Sequence, residues 1–464
     1  MGKILAVMSA ALLCALVFLA SFSSAASQGQ RSQYVNVGIS YGSAAVSSCM
    51  VAAEDGLMLV QAVPGGMEEV LRLPECKQLT VKTENRNIVA IDSLGAVVYE
   101  AFDLGTCIAS LSAGEGGAVK FNGKPFRGAL RFSPLGNGAM NVVNYIEMDD
   151  YLCGVIGAEM GHASPIEALK AQAVAARSFA LCNLGKHKEE GFDFCTGVHC
   201  QVYEGQAGEH DRTTQAVDET AGLVLTYGGK PAAGYFFKNS GGHTQSGEEV
   251  WGGDAPWLVG VKDEYSPDCE WSYSMTFQEI RSKLEAAGYK VGKVQSVSIV
   301  GRSASGAAAR LEIKGASGTA TLAGENVRAV FGSGNVKSMM FYLGGSENTQ
   351  TSGALPNPAL SDGKSAVFPK GSDDVYVIGA DMAAEKKKLS ELYAFDSGLS
   401  FKLAGSKQAE PQKLESVSKE PVVFNGSGYG HGVGMPQDSA VAMAEQGFTY
   451  EEILKYYFKN IKIQ

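Results

Sequence analysis

Glycine is the first constraint on what this chain can fold into. It supplies 57 of 464 residues, 57/464 or about 12%, against a usual ~7%. Proline numbers only 14, so this is not a Pro/Gly low-complexity chain. Glycine excess of this kind implies many tight turns and close backbone approaches and argues against a mostly helical protein. Hydrophobic residues at 45% and charged ones at 19% are ordinary globular composition rather than disorder. The length predicts two to three domains, each able to bury a core. The charge balance, 39 − 49 = −10, excludes a generally basic nucleic-acid binder.

Residues 1–26 open with Lys3, run uncharged from Ile4 to Phe22, and end on the small residues Ser24-Ala25-Ala26. This is the pattern of a signal peptide, or of a membrane anchor if it is not cleaved. Both put everything after residue 31 outside the membrane, so an exported protein is expected. No G-x-x-x-x-G-K-[ST] occurs, which agrees with a compartment without ATP.

Short β-rich runs punctuated by Gly, Asn and Asp fill residues 32–115, as in Tyr34–Ser40 and Asn87–Ile91, and predict a β-rich N-terminal module. Met140–Ile146 predicts another strand. A helix over Met148–Glu159 is expected to stop at Gly161. Ser164-Pro165-Ile166-Glu167 then reads as a capping box with proline at the first helical position, opening a helix to about Leu184. Residues 186–212 read as an ordered loop. Residues 222–262 read as strands with Gly-rich turns. A helix over Phe277–Ala287 and strands at Val294–Val300, Ala309–Lys314 and Thr319–Leu322 follow. Residues 346–420 change to a polar, lysine-rich insertion or linker, and 421–464 close the chain. The fold class expected is α+β, a helix-centred core on mostly antiparallel sheets, with 116–345 and 421–464 forming one catalytic domain.

Three groups could carry chemistry. Glu159 sits at the carboxyl end of a helix, where the dipole disfavours an ionised carboxylate and partial burial adds to the effect. Such a carboxyl can act as an acid near neutral pH; the plainer reading is a solvated helix-end glutamate. Cys195, His199 and Cys200 lie within six residues, with His187 and His210 nearby, and suit zinc. A Cys195–Cys200 disulfide fits an exported protein equally well. His431 stands in the glycine-dense GSGYGHGVG (426–434), where it could bond a sugar, orient an acid or brace a tight turn. Trp251, Trp257, Tyr203 and Tyr235 could stack on sugar faces or belong to cores. Ser240 has no base marked nearby and is discounted as a nucleophile; no G-x-S-x-G or H-E-x-x-H occurs.

The stretches GVIGAEM (154–160) and EALKAQAVAARSFAL (167–181) resemble the signature of the stage II sporulation protein D family, which includes the amidase-enhancer LytB proteins. NVVNYIEMDDYL (141–152), CTGVHCQVYEG (195–205), NSGGHTQSGEEVWGGDAPWLVGV (239–261) and YGHGVGMPQDSAVAMA (429–444) agree with it in order. The resemblance covers about 120–345 and 421–462. It implies a lytic transglycosylase acting on peptidoglycan glycan strands, with Glu159 as its catalytic carboxyl. It implies a structural zinc on Cys195, His199 and Cys200; the fourth ligand does not carry over, and His187 is preferred to His210. Arg177, Gln201, Tyr203, Ser240 and His431 are the implied groove residues. The LytB branch implies an alternative, a non-catalytic wall-binding enhancer of a partner amidase. A zinc amidase is a third possibility, disfavoured because three ligands crowd into one loop. The chain departs from the family at Met435-Pro436, where serine is usual before the glutamine, and in 346–420. The N-terminal strands are poorly covered.

Overall fold

The structure, a computed structural model, describes residues 33–101, 105–344, 374–378, 384–388 and 416–464. The expected leader and most of 346–420 lie outside these residues. Among the described residues no helix is long and apolar enough to cross a membrane. The architecture is α+β, with eight helices among the described residues and mostly antiparallel sheets. The chain divides into two compact units, one formed by residues up to 163 with 180–223, the other by 164–179 with 224–464.

The first unit is built on two sheets. Strands β1 (Tyr34–Ser40), β2 (Ser48–Ala52), β3 (Leu57–Val63), β4 (Gly66–Leu73), β5 (Gln78–Glu84), β6 (Asn87–Asp92), β7 (Val97–Ala101), β8 (Thr106–Ser110), β9 (Val119–Phe121), β10 (Lys124–Phe126), β11 (Ala129–Pro134) and β12 (Met140–Glu147) precede the first helix, α1 (Met148–Met160). After α2 (Ile166–Cys182) comes the short β13 (Phe194–Cys195), and α3 (Asp211–Asp218) closes the unit. One sheet runs β13-β1-β12-β11-β8-β3-β4, the other β10-β9-β2-β5-β6-β7. Their apolar residues, including Val51, Leu59, Leu79, Val81, Leu130 and Val142, share one core. The boundary expected at 115/116 is crossed by the first sheet, because β1 pairs with β12 (Tyr34↔Glu147).

Strand β12 is buried along nearly its whole length, on both faces, so its reading MNVVNYI is apolar without strict alternation. The exceptions are Asn141, whose Nδ2 donates to the Glu190 carbonyl (3.2 Å), and Asn144, fully buried, whose Nδ2 donates to the carbonyls of Arg127 (2.9 Å) and Ala129 (3.1 Å). The chain passes from β12 straight into α1. Helix α1 ends where Gly161, at φ 75, takes a conformation that costs glycine least.

The second unit comprises α2 as far as Phe179 and the remainder of the chain. It holds β14 (Leu225–Tyr227), β15 (Lys230–Pro231), β16 (Phe236–Phe237), α4 (Gly247–Trp251), β17 (Glu270–Met275), α5 (Phe277–Ala286), β18 (Val294–Arg302), β19 (Ala308–Gly315), β20 (Gly318–Ala323), α6 (Glu325–Phe331) and β21 (Phe341–Gly344). A backbone hairpin, β22 (Asp374–Ile378) and β23 (Ala384–Lys388), and β24 (Ser416–Val417) follow. The unit ends with β25 (Val422–Ser427), β26 (Met435–Pro436), α7 (Gln437–Glu445), α8 (Tyr450–Tyr457) and β27 (Lys462–Ile463). Strands β21 and β25, on either side of residues 345–415, are antiparallel neighbours (Phe341↔Gly426). The strands expected in 222–262 are only two or three residues long. Glycines 241, 242, 252 and 253 all have positive φ and interrupt any longer extension. Glu167, expected in a capping box, bonds Lys170 (2.9 Å) and accepts the Tyr450 N–H (2.8 Å) at the start of α8.

Two glycines of α1 explain part of the glycine excess. A Cβ on Gly157 would come 2.2 Å from the Gly208 carbonyl oxygen, and one on Gly154 would come 2.6 Å from the Tyr203 ring. The loop after Cys200 therefore lies directly on the helix. Gly→Ala inside a helix ordinarily stabilises by about 1 kcal/mol. Gly157→Ala is expected to do the reverse, because backbone must move to admit the methyl group. A lowered melting temperature in a thermal melt is the expected outcome; a raised one would contradict this packing.

Candidate functional site

Glu159 lies in the last turn of α1, and its Oε1 accepts a hydrogen bond from the Val202 N–H at 2.9 Å. The donor belongs to the segment that carries the Cys/His cluster. That segment starts on the main sheet: β13 runs parallel to β1, with Gly38 opposite Cys195. Gly38 must be glycine, since a Cβ there would sit 2.6 Å from the Phe192 ring. Asp193 pins the approach: its Oδ2 accepts from Asn36 N–H (2.8 Å) and Nδ2 (3.1 Å), and its Oδ1 accepts from Gly185 N–H (2.9 Å). Turn bonds from Cys200 N–H to Gly197 O (2.9 Å) and from Tyr203 N–H to Thr196 O (3.2 Å) close the loop.

His187, Cys195, His199 and Cys200 come together there, with ligand atoms all within 4.8 Å of one another. His187 Nε2 is 3.1 Å from His199 Nδ1, and the Sγ atoms of Cys195 and Cys200 are 3.8 and 3.6 Å from that nitrogen. Tetrahedral zinc, with Zn–S about 2.3 Å and Zn–N about 2.0 Å, separates its ligand atoms by about 3.3–3.8 Å. The donor set and its spacing therefore fit a metal ion. Glu190 Oε1 lies 3.6 Å from His187 Nδ1, the position of a carboxylate that orients a ligating imidazole. Burial pushes the Cys200 thiol up to about 11 and lowers the His199 imidazole. A cation would reverse the first and use the neutral ring that the second favours. Both cysteines are free, so the alternative disulfide is not formed. His210 is elsewhere: it caps α3, its Nδ1 accepting from Arg212 N–H, and its ring stacks on His162 at 4.0 Å.

Gln201 and Tyr203, expected to face a groove, are interior, at 1% and 5% exposure. Tyr203 fills the space that Gly154 leaves and donates its hydroxyl hydrogen to Asn144 Oδ1 (2.7 Å). Gln201 Nε2 donates to Tyr151 Oη (3.4 Å). Tyr151 is fully buried between Phe194 and Tyr203, at ring distances of 5.7 and 5.0 Å. The two residues support the loop from inside, and their burial leaves no face for a sugar. Arg127 braces the same loop with a bidentate pair to Glu209 (2.6 and 2.7 Å) and a bond to Asp150 (3.2 Å).

Arg177, Ser240 and His431 belong to the second unit. Arg177 is 3% exposed. Ser240 is buried and donates to Asp263 Oδ2 at 2.6 Å. Asp263 also accepts from Ser439 Oγ (2.7 Å) and Tyr457 Oη (2.9 Å), so Ser240 is one spoke of a buried structural hub. His431 packs against Trp251 and Phe237, with Nε2 on the Phe236 carbonyl (3.1 Å) and Nδ1 accepting from Val433 N–H (3.1 Å). Main chain occupies both ring nitrogens, so His431 braces the glycine turn and has none left to orient an acid. Desolvation, helped by Arg328, pushes its pKa down to about 4.

The residues missed from sequence are Val202, Tyr151, Asn144 and Asp263. Val202 contributes a backbone N–H, which no side-chain pattern marks. Asn144 interrupts an apolar run, which is a usable signal, whereas Asp263 stands between Lys262 and Glu264 and looks like part of a solvated charged stretch.

Residues 136–227 match the family described as Stage II sporulation protein, and residues 256–355 match a domain of unknown function. An uncharacterized protein of Brachyspira hyodysenteriae is 29% identical over 348 residues, 74% of this chain and 73% of that protein. The amidase enhancer of Bacillus subtilis is 29% identical over 311 residues, 66% of this chain but only 39% of its own length. Stage II sporulation protein D of Bacillus subtilis is 25% identical over 348 residues, 71% and 78% of the two chains. The segment that matches the Stage II sporulation protein model, residues 136–227, contains Glu159 and the whole Cys/His cluster.

Two outcomes test these assignments. Cys200→Ser is expected to lose bound metal in elemental analysis and to lower the melting temperature. Stoichiometric metal retained in the variant would contradict the ligand set. For His431, the folded pKa lies below the unfolded 6.5, so its stabilisation is complete above pH 6.5 and is lost as pH falls through about 4. His431→Gln is expected to be less stable than the parent at pH 7 and to show a flatter stability profile between pH 6.5 and 4, measured by denaturant titration.

Proposed function

We propose that this protein is an exported lytic transglycosylase that cuts MurNAc–GlcNAc bonds in peptidoglycan glycan strands freed of stem peptides, with Glu159 as its single acid and base. The observation that carries this reading is the clamped carboxyl. Glu159 lies inside the family-matched segment, with Oε1 held by the Val202 N–H. In this reading the protonated Glu159 carboxyl carries the transferable proton. Glu159 donates that proton to the glycosidic oxygen as the C1–O bond breaks. The carboxylate then takes the proton of the MurNAc C6 hydroxyl while O6 closes on C1. The products are a free GlcNAc hydroxyl and a 1,6-anhydro end, and no water is consumed. One carboxyl serves both steps, unlike the carboxylate pairs of most glycoside hydrolases.

The cluster His187, Cys195, His199 and Cys200 holds a structural Zn²⁺ in this reading, and such an ion supplies cross-linking of the loop. Export, sporulation engulfment or wall remodelling, and a partner amidase belong to the same proposal. The similarity to an amidase enhancer favours one competing reading, a wall-binding protein that stimulates an amidase without cutting glycan.

Purified protein incubated with stem-free strands is expected to release 1,6-anhydro fragments, identified by mass spectrometry. Glu159→Gln is expected to lower the rate by at least about 10³-fold, a loss in line with removing an essential acid–base group. Fragments at the parental rate from that variant would refute the assignment. Amidase stimulation that survives the substitution, with no glycan product from the parent, would establish the competing reading.

A further inference from the structure

The second unit contains a cavity that the clamped glutamate does not use. It has a volume of about 210 Å³ and lies beside α4, with walls from the end of β18, the start of β19 and the start of α6. That is below the roughly 300 Å³ at which drug-sized sites begin and suits one sugar ring. Its polar lining is Gln245, Glu249, Arg302, Ser303 and Glu325. The wall is tied together by the Ala304 N–H, which donates to Glu249 Oε1 at 2.9 Å. Glu325 gives one oxygen, Oε2, to Arg328, while its buried Oε1 has no partner among the described residues. A buried acceptor without a donor is costly unless a ligand or water completes it.

Two glutamates, Glu249 and Glu325, are balanced by two arginines, Arg302 and Arg328. That charge balance favours a neutral ligand rich in hydroxyls over a metal cation or a phosphate. The residue after the lining Val250 is Trp251, 45% exposed. Its ring is seated on Tyr235 (4.6 Å between centroids) and His431 (5.0 Å). The His431 carbonyl in turn accepts from Gln245 Nε2 (3.2 Å), so platform and cavity share one support. The other two tryptophans are packed, with their N–H groups on Ala233 O and Ser338 Oγ. Trp251 thus offers a braced, exposed apolar face one residue along the chain from the polar lining, and a sugar ring uses both kinds of surface.

We infer that this cavity and Trp251 form a glycan-binding subsite, taking a neutral N-acetylhexosamine unit and giving a role to a region that overlaps the domain of unknown function. The inference rests on the glycan-directed reading above but not on Glu159. The test is titration of tetra-N-acetylchitotetraose into the full-length Glu159→Gln protein, followed by isothermal titration calorimetry, a readout that does not depend on the indole being removed. A saturable change is expected, absent in the added variant Trp251→Ala and shifted to about tenfold weaker affinity in Glu325→Gln, the cost of about one lost charged hydrogen bond. Trp251→Ala removes packing from Tyr235 and His431 and Glu325→Gln weakens the Arg328 pair, so a thermal melt of each variant accompanies the titration, and Trp251→Phe, which keeps an aromatic face, is expected to retain part of the affinity. No saturable change, a change unaltered by both variants, or a response to Ca²⁺ in place of the sugar would overturn the inference. Saturable binding without 1,6-anhydro product from the parent would sink the catalytic reading and leave the subsite; product without binding here would do the opposite.

Discussion

One backbone hydrogen bond, from the Val202 N–H to Glu159 Oε1, joins the two halves of the first unit's chemistry. On one side is a carboxyl at the end of a helix. On the other is a loop only two residues past Cys200, closed by short turn bonds and gathered around four potential metal ligands. A helix-end side chain alone would sample several rotamers. The clamp converts loop order into carboxyl order, and preorganisation of this kind is what an acid–base group needs before substrate arrives.

The glycines are where this arrangement is built. Gly154 and Gly157 let the loop lie against α1, and Gly38 lets Phe192 lie against β1. Larger residues at any of the three would push the loop off its seat. Tyr151, Tyr203 and Asn144 then fill and satisfy the interior beneath it. The glycine excess is thus partly a record of close backbone packing around one site, beyond its ordinary use in turns.

The regular elements were legible because their periodicity is strong. Tyr34–Ser40 is the strand its alternation implies, and the helix ending before Gly161 stops where the glycine requires. Glu159 and the Cys/His loop stood out because carboxyl position and ligand spacing are local signals. The preference for His187 over His210 agrees with the geometry, in which only His187 of the two turns toward the thiols. The resemblance implies that Gln201, Tyr203, Ser240 and His431 are groove residues, but polar and aromatic side chains serve grooves and interiors alike. Burial separates the two uses, and here Gln201, Tyr203 and Ser240 are interior while His431 is bonded to main chain through both nitrogens. The 115/116 boundary was illegible because the strands that cross it pair over a hundred residues apart.

The most direct test of the account is glycan cleavage measured against metal occupancy in protein whose sheets stay folded. Gentle chelation, monitored by circular dichroism, should abolish release of 1,6-anhydro fragments while the β signal persists, and zinc should restore it. Parental activity in the folded, metal-free protein would contradict the claim that the Cys/His loop holds the working carboxyl in place.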